Sequence, residues 1–160
     1  MIAKVGFGGG CHWCTEGIFV SLRGVEKVEQ GWIAAPAPDD TFSEAVIVHF
    51  DPEQISVKDL ITIHLETHAS SSNHPMRAKY RSAIYAFEIM DFQYFQELLR
   101  AHNQKQEQPL ITRVLHFESF RASEEKYQDY FRKNPEKPFC QTYISPKLQQ
   151  IKRQHPSLLK

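Results

Sequence analysis

The chain has 160 residues, 41% of them hydrophobic and 24% charged, and its formal net charge at pH 7 is zero with the histidines counted as neutral. This size and composition are typical of a soluble globular protein, so we expect residues 1–160 to form a single domain with its own apolar core. The lack of net charge predicts no binding to nucleic acid, and no apolar run approaches the roughly 18 residues that a helix across a membrane needs.

Strand and helix patterns alternate along the chain. The first part predicts a strand over 3–9, a helix over 14–24 that ends at Gly24, strands over 25–33 and 43–51, and a helix over 56–68 with Ser56 as its N-cap. The second part predicts a strand over 80–87, a helix over 90–104, a strand over 110–118, a helix over 123–133 with Ser123 as its N-cap, and an extended C-terminal segment from about residue 134. This order predicts an α+β fold of the split βαβ type, a mixed sheet with helices packed on it, with a doubly wound parallel sheet as the alternative.

The three cysteines indicate a cellular compartment. An odd and small number of cysteines argues against the disulfide framework of a secreted protein. The first ten residues also lack the long apolar stretch of a secretory signal. We therefore predict a cytoplasmic protein whose cysteines are reactive, bound to metal or simply buried.

The stretch FGGGCHWCTEGIF, residues 7–19, places a glycine run and two cysteines where a strand gives way to a helix. The free N–H groups and the dipole at a helix N-terminus stabilise an anion, so we expect the thiolate of Cys11 to be favoured. The glycines leave the approach to its sulfur open and let the backbone turn sharply. The motif therefore predicts a nucleophilic or redox-active Cys11 rather than a buried, inert one.

Cys14 leaves a second interpretation of the same motif open. A CxxC pair at a strand-to-helix junction is also the thioredoxin-like signature, in which Cys14 would resolve a mixed disulfide on Cys11. A zinc site completed by His12 and Cys140 is disfavoured, because adjacent residues rarely bind one zinc ion and no second close pair of ligands follows.

At GGGCHWCTE the sequence resembles the A-type peptide methionine sulfoxide reductases, whose signature is GCFW after a short strand that ends in glycine. The resemblance covers nearly all of residues 3–147 in order, through LRGVEKVEQGW, SEAVIVHFDPEQISVKDLI, KYRSAIY and FRASEEKYQDYFRKNPEKPFCQTYISPK. It implies a ferredoxin-like α+β fold and the reduction of methionine sulfoxide, free or in proteins and of the S epimer. It further implies a sulfenic acid that becomes a disulfide, thioredoxin or another thiol as electron donor, and no metal or organic cofactor.

The resemblance assigns roles to four residues around the substrate. Cys11 matches the nucleophile, and Glu44 matches the acid that protonates the sulfoxide oxygen. Glu44 is in phase with Val46, so we expect it to point to the buried face of its strand, where burial favours the protonated form of a carboxyl. Tyr80 matches the tyrosine whose hydroxyl bonds the same oxygen, and Trp13 matches the tryptophan against which the substrate methyl group packs.

The resemblance also supplies a resolving thiol. Cys140, in KPFCQ, matches the resolving cysteine of the C-terminal segment, and we expect it on a mobile loop because prolines flank it. Cys14 lies about one helical turn from Cys11. We predict that Cys140 is the principal resolving thiol and that Cys14 is a secondary partner or a packed helix residue.

Several positions depart from the family's pattern. The family's signature phenylalanine is His12 here, so one wall of the methyl pocket is polar. The family's second tyrosine at the oxygen site is Trp32, which has no O–H to offer, and we expect both residues to bind substrate. An aspartate of the family falls on Pro75, and a histidine of its last helix falls on Tyr127. A second function therefore stays open, a thiol-redox or binding protein of the same fold with weak or no sulfoxide reductase activity. The retained Cys11 and Glu44 favour the reductase.

Overall fold

A computed structural model describes residues 2–68, 80–105 and 107–160. Its strands and longer helices are, in chain order, β1 (Ala3–Gly8), α1 (His12–Val20), β2 (Val25–Ala34), β3 (Ser43–Phe50), α2 (Val57–Thr67), β4 (Ala83–Ala86), α3 (Ile89–Asn103), β5 (Arg113–His116), β6 (Ser119–Ala122), α4 (Tyr130–Lys133) and α5 (Ser145–Gln154). Two short 3₁₀ helices and a π-helical turn lie between or after these, at Glu125–Tyr127, Pro156–Leu158 and Cys140–Ile144. Among the helices so described, none has the length and apolar character to span a bilayer.

Six strands form one mixed sheet in the order β5-β4-β1-β3-β2-β6. The central strand β1 pairs antiparallel with β3 and β4, and β3 pairs antiparallel with β2. These four strands, with α1 and α2 as their crossovers, are the ferredoxin-like split βαβ unit. β5 then extends the sheet parallel to β4, and β6 extends it antiparallel to β2. The predicted ferredoxin-like α+β fold is confirmed, and the doubly wound alternative is wrong.

The sheet has two buried faces, because alternate side chains of a strand point to opposite sides. Phe7, Val46 and Val48 lie on the face that packs against α1, α2, α3 and α5. Ile33 and Ile47 lie in a smaller cluster on the opposite face. The longer helices therefore cover one face, and the first turn of α1 lies over the ends of β2 and β3.

The predicted elements before residue 119 are all present, with shifted ends. Helix α1 begins earlier than predicted, so that Cys11 is its N-cap residue, and it ends before Gly24, whose φ of +83° lies in the left-handed region that favours glycine. Ser56 is the N-cap of α2 as predicted, and its hydroxyl accepts a hydrogen bond from the N–H of Asp59 at 3.1 Å.

The chain from 119 to 133 differs from the prediction. Residues 119–122 form β6, a strand that we did not predict. The single helix predicted over 123–133 is wrong, because Asp129 has a φ of 57° and separates a 3₁₀ turn from α4. Ser123 is not an N-cap, since its hydroxyl donates to the carbonyl of Gln30 at 3.1 Å.

The predicted extended segment from residue 134 is also wrong. The π-helical turn Cys140–Ile144 runs directly into α5, which has a proline in its first turn. Proline fits the first turn of a helix because the N–H that it lacks has no partner there. Pro146 therefore starts a helix where the sequence pattern indicated a loop.

Candidate active site

The turn between β1 and α1 places Cys11 at the start of the helix. Gly9 has a φ of +154°, and a Cβ atom there would lie 2.5 Å from the ring of His68. A side chain at Gly9 would therefore collide with α2's end. A Cβ at Gly10 would meet no described atom within 4 Å, so this side of Cys11 is open.

Two histidines at the C-terminal end of α2 support this turn. The Nε2 atom of His64, which is buried, lies 2.9 Å from the carbonyl oxygen of Gly8. The ring of His68 stacks on His64 at 4.1 Å, and its Nε2 lies 2.9 Å from the hydroxyl of Ser82. We predicted no role for either histidine, because their helical spacing alone indicates only a common helix face.

Cys11 is half-buried, and its pKa is lowered from an ordinary 9.0 to about 7. The largest cause is the thiol of Cys14, which donates a hydrogen bond to the Cys11 sulfur. Burial raises the pKa, the N–H groups of Trp13 and Cys14 lower it, and the carboxyl group of Glu44 raises it. A large fraction of Cys11 is therefore thiolate at neutral pH.

The other two thiols are protonated at neutral pH and lie next to Cys11. Cys14, Cys140 and Ile144 form a buried apolar cluster against which Cys11 packs. The pKa of Cys14 is raised by its hydrogen bond to Cys11 and by burial, and burial raises the pKa of Cys140. The mobile loop predicted for Cys140 is wrong, because this residue begins the π-helical turn and is 0% exposed.

Glu44 lies beside the first turn of α1, at the start of β3, and points to the buried face as predicted. It is 6% exposed and lies opposite Trp32 in the register of β2 and β3. Its Oε1 atom accepts a hydrogen bond from the backbone N–H of His12 at 3.2 Å and lies 3.6 Å from the Nε2 of the same residue. Glu44 is therefore linked to the same turn of helix as Cys11.

His12 and Trp32 lie together on the sheet side of this turn. The ring of His12 meets that of Trp32 edge-on, with 5.1 Å between the ring centroids. The Nδ1 atom of His12 lies 2.7 Å from the carbonyl oxygen of Gly31. The guanidinium group of Arg121 lies over the other ring, 5.5 Å from the centroid of Trp32. The two positions that depart from the family's pattern are thus in contact with each other.

Trp13 is covered by aromatic side chains from residues 127–139, here called the covering segment. Its ring stacks on Tyr130 at 4.6 Å and on Tyr127 at 5.4 Å, with interplanar angles of 19° and 22°. Phe139 meets it edge-on at 5.4 Å. The covering segment therefore lies against Trp13 and brings Cys140 to the side of α1.

The chain matches the family model of the peptide methionine sulfoxide reductases over residues 3–158. The chain belongs to this family. It is 32% identical to the peptide methionine sulfoxide reductase MsrA of Deinococcus radiodurans, over 96% of this chain and 82% of that protein.

Two solved structures of Mxr1 from Saccharomyces cerevisiae have the same fold as this chain. The reduced form superposes with a TM-score of 0.74 at 20% identity, over 89% of this chain and 91% of that chain. The complex of Mxr1 with Trx2 superposes with a TM-score of 0.64 at 16% identity, over 79% and 84% of the two chains. At such identities the likeness supports the fold.

Tyr80 and Pro75 are the two remaining positions of the family resemblance. Tyr80 is half-buried and directly precedes Arg81, whose guanidinium donates to the carbonyl of Ile33 at 3.0 Å. The role of its hydroxyl at the sulfoxide oxygen stays a prediction. Pro75 lies outside the described residues.

Glu16 holds the covering segment, and we did not predict it. The residue is 2% exposed, and its carboxyl accepts hydrogen bonds from the N–H groups of Asp129 at 2.8 Å and Tyr130 at 3.2 Å. It also accepts one from the side-chain amide of Gln30 at 2.9 Å. Burial raises the pKa of Glu16, and these three donors oppose that rise. The sequence offered one indication that Glu16 is buried. It follows His12 by four residues, so the two lie on the same side of α1.

Proposed function

We propose that this protein reduces methionine sulfoxide, free or in proteins, with the S epimer as its substrate. The observation that carries the proposal is a cysteine at a helix N-terminus with a pKa of about 7, linked through one helical turn to a buried carboxyl. Reduction of a sulfoxide needs this pair, a thiolate to attack sulfur and an acid to protonate oxygen. Membership of the reductase family supports the same activity.

The first step consumes one proton and oxidises one thiolate. The sulfur of Cys11 attacks the sulfoxide sulfur, and the carboxyl of Glu44 gives a proton to the sulfoxide oxygen. The S–O bond of the substrate breaks, an S–OH group forms on Cys11, and methionine leaves. The substrate sulfur gains two electrons and Cys11 loses two. Trp13 and Tyr80 keep the methyl-packing and hydroxyl roles that the family resemblance implies, and Trp32 lines the substrate pocket without the O–H of the family's tyrosine.

A second thiol then condenses with the sulfenic acid and releases water. The sequence favoured Cys140 for this role because it matches the family's resolving cysteine and because we expected it on a mobile loop, and the second of these grounds no longer holds. The S–H of Cys14 already contacts the Cys11 sulfur, so we propose that the first disulfide joins Cys11 and Cys14. Cys140 lies in the same cluster and is the second partner, exchanging with Cys14 to release Cys11.

Thioredoxin, or another dithiol, is the proposed reductant of the resulting disulfide. The complex of yeast Mxr1 with Trx2 supports this choice for a protein of the same fold. The predicted cytoplasmic location would provide a reducing thiol pool. In this scheme the whole chain acts as one domain, and no metal or organic cofactor is used. The reaction restores methionine in oxidised proteins.

The test is turnover of methionine sulfoxide, free and within a peptide, with each sulfur epimer separately and dithiothreitol as reductant. We expect turnover of the S epimer with little or none of the R epimer. A protein that turns over neither epimer would overturn the proposal.

A specific observation favours a second function, thiol–disulfide exchange without sulfoxide reduction. The hydrogen bond from Cys14 to Cys11 is the arrangement of a dithiol exchange site, and the covering segment occupies the face of Trp13. The same assay separates the two functions. Exchange with a peptide disulfide in the absence of any sulfoxide turnover would favour the second.

A further inference from the structure

The pair formed by His12 and Glu44 is specific to this chain's version of the site. At the position of His12 the family's signature has phenylalanine, and a phenylalanine side chain has no titrating atom. Both side chains are buried, and Nε2 of His12 lies 3.6 Å from Oε1 of Glu44. This distance is longer than a hydrogen bond, and a movement of less than about 1 Å would close it.

The contact at the other ring nitrogen determines which atom can exchange a proton. Nδ1 lies 2.7 Å from the carbonyl oxygen of Gly31, and a carbonyl oxygen only accepts hydrogen bonds. Nδ1 of His12 therefore carries a proton in every charge state of the ring. Nε2, the nitrogen that faces Glu44, is the atom that gains or loses the second proton.

We infer that His12 is a positioning residue that acts through Glu44, its Nε2 holding the proton that Glu44 passes to the sulfoxide oxygen. This inference rests on the proposed reductase function. The Nε2–H proton passes to the carboxylate of Glu44, and the carboxyl so formed gives it to the sulfoxide oxygen. The ring is left neutral and regains one proton from water before the next turnover, which matches the one proton consumed in forming the sulfenic acid.

An imidazole extends the pH range over which such a site holds a proton. Histidine ordinarily titrates near about 6.5 and a glutamate near about 4.3, so an imidazole keeps its proton to a higher pH than a lone carboxyl does. Without the imidazole, the site should therefore lose the proton that it gives to the sulfoxide at a lower pH than the parent does.

The imidazole also compensates a charge that acts on the nucleophile. The carboxyl of Glu44 raises the pKa of Cys11, whereas a proton shared by His12 and Glu44 makes the pair neutral overall. Charged groups of neighbouring elements also lie here among the described residues, and one is Arg81, which donates to the Ser43 hydroxyl through its N–H and to the carbonyl of Ile33 through its guanidinium. Glu16, on the same helix, is bound by three donors, and Arg121 of β6 lies over Trp32.

The test compares His12→Gln with the parent in two measurements. Gln is polar and of similar length, and it has no proton to transfer. The first measurement is the pH dependence of single-turnover methionine formation by the reduced protein, at saturating and subsaturating peptide sulfoxide. The second is the pH dependence of Cys11 alkylation by iodoacetamide, which needs no sulfoxide. His12→Phe, which carries the family's own residue, is made in parallel so that the test does not depend on one variant folding.

The matched control is His49→Gln. His49 is a half-buried histidine of β3 that also faces a glutamate, since its Nε2 lies 2.7 Å from Oε2 of Glu29 on β2. It lies at the other end of β3 from Glu44. Thermal melting of each variant shows that it is folded.

For both His12 variants we expect the alkaline limb of the pH–rate profile, measured at saturating sulfoxide, to move about one pH unit lower. At pH values above this limb the rate should be about tenfold lower than that of the parent, and KM should change little. We expect the midpoint of Cys11 alkylation to rise, and His49→Gln to change neither profile. If the parent is active and neither His12 substitution changes the rate profile or the alkylation midpoint, this inference alone is overturned. A parent with no turnover overturns the proposed function, and the inference with it.

Discussion

The S–H of Cys14 donates a hydrogen bond to the sulfur of Cys11. This bond moves the two pKa values in opposite directions, because it stabilises the thiolate of the acceptor and holds the proton of the donor. It is the largest cause of both shifts, ahead of burial and of the helix N-terminus. A cysteine three residues into the helix thus makes Cys11 the more acidic of the two thiols, and Cys11 is the proposed nucleophile.

Removing that donor should make Cys11 less acidic. In Cys14→Ala we expect the pKa of Cys11 to rise from about 7 toward its ordinary 9.0, so that alkylation at pH 7 slows and recovers as the pH is raised. The measurement is the rate of iodoacetamide labelling of Cys11 from pH 5 to 10. Cys140→Ala is the matched control, since Cys140 is not among the causes of the Cys11 shift. Equal midpoints in the two variants would contradict the assignment.

Cys11 itself should be indispensable. We expect Cys11→Ser to abolish methionine formation and to remove the fast phase of alkylation, because a serine hydroxyl does not ionise at neutral pH. Burial still raises the pKa of Cys14 and of Cys140 in this variant, so both remaining thiols should label slowly. Fast labelling of Cys14 or Cys140 in this variant would show that the nucleophile has been misassigned.

Glu44→Gln tests the acid. Gln retains the shape of the side chain and an oxygen that can accept from the N–H of His12, but it has no proton to give. A positioned acid contributes roughly 10²–10⁴ in rate, so we expect a loss in that range with an unchanged melting temperature. Rates within a few-fold of the parent would remove Glu44 from the chemistry.

The first disulfide should join Cys11 and Cys14. Protein treated with one equivalent of methionine sulfoxide is alkylated, digested and mapped by mass spectrometry at short and long times. We expect the Cys11–Cys14 bridge first, followed by bridges to Cys140. In Cys140→Ser the first bridge should be unchanged. A Cys11–Cys140 bridge at the shortest times would restore the prediction made from the sequence.

Glu16→Gln should loosen the covering segment. An amide cannot accept from all three donors as a carboxylate does, and an unsatisfied buried group costs about 1–3 kcal/mol. We expect a lower melting temperature and faster proteolysis within residues 127–139, with Glu125→Gln, an exposed carboxyl in the preceding turn, as the control.

The difference in stability between the parent and Glu16→Gln should change with pH in a definite direction. Burial raises the pKa of Glu16 in the folded protein, so folding favours its protonated form. The stability of the parent relative to Glu16→Gln is therefore greatest below the ordinary value of 4.5 and falls as the pH rises through the raised value. A difference in melting temperature that grows with pH would contradict the shift.

Local patterns predicted those parts of the site that depend on neighbours in sequence. Cys11 was found from a glycine run before a helix, and the buried direction of Glu44 from the alternation of its strand. Glu16 was not found, because its partners are the N–H groups of Asp129 and Tyr130, more than a hundred residues along the chain. No local pattern encodes such a pair.

The C-terminal errors have the same origin. Asp129 adopts a left-handed conformation that few residues other than glycine favour, and its N–H is fixed by Glu16. Cys140 is buried by contacts with α1 rather than by the sequence around it, which is polar and rich in proline. Tertiary contacts thus override local signals, and the prediction failed where those contacts are made.

The stacking of the covering segment on Trp13 has a spectroscopic consequence. The chain contains two tryptophans, Trp13 and Trp32, and both lie within the first-turn environment of α1. Indole emission from the native protein therefore originates entirely at the candidate active site, with one fluorophore on either side of the first turn of α1. Replacing Trp32 by Phe would leave a single intrinsic reporter of the covering segment, and Trp13→Phe a single reporter of the His12 and Glu44 pair, without any attached dye.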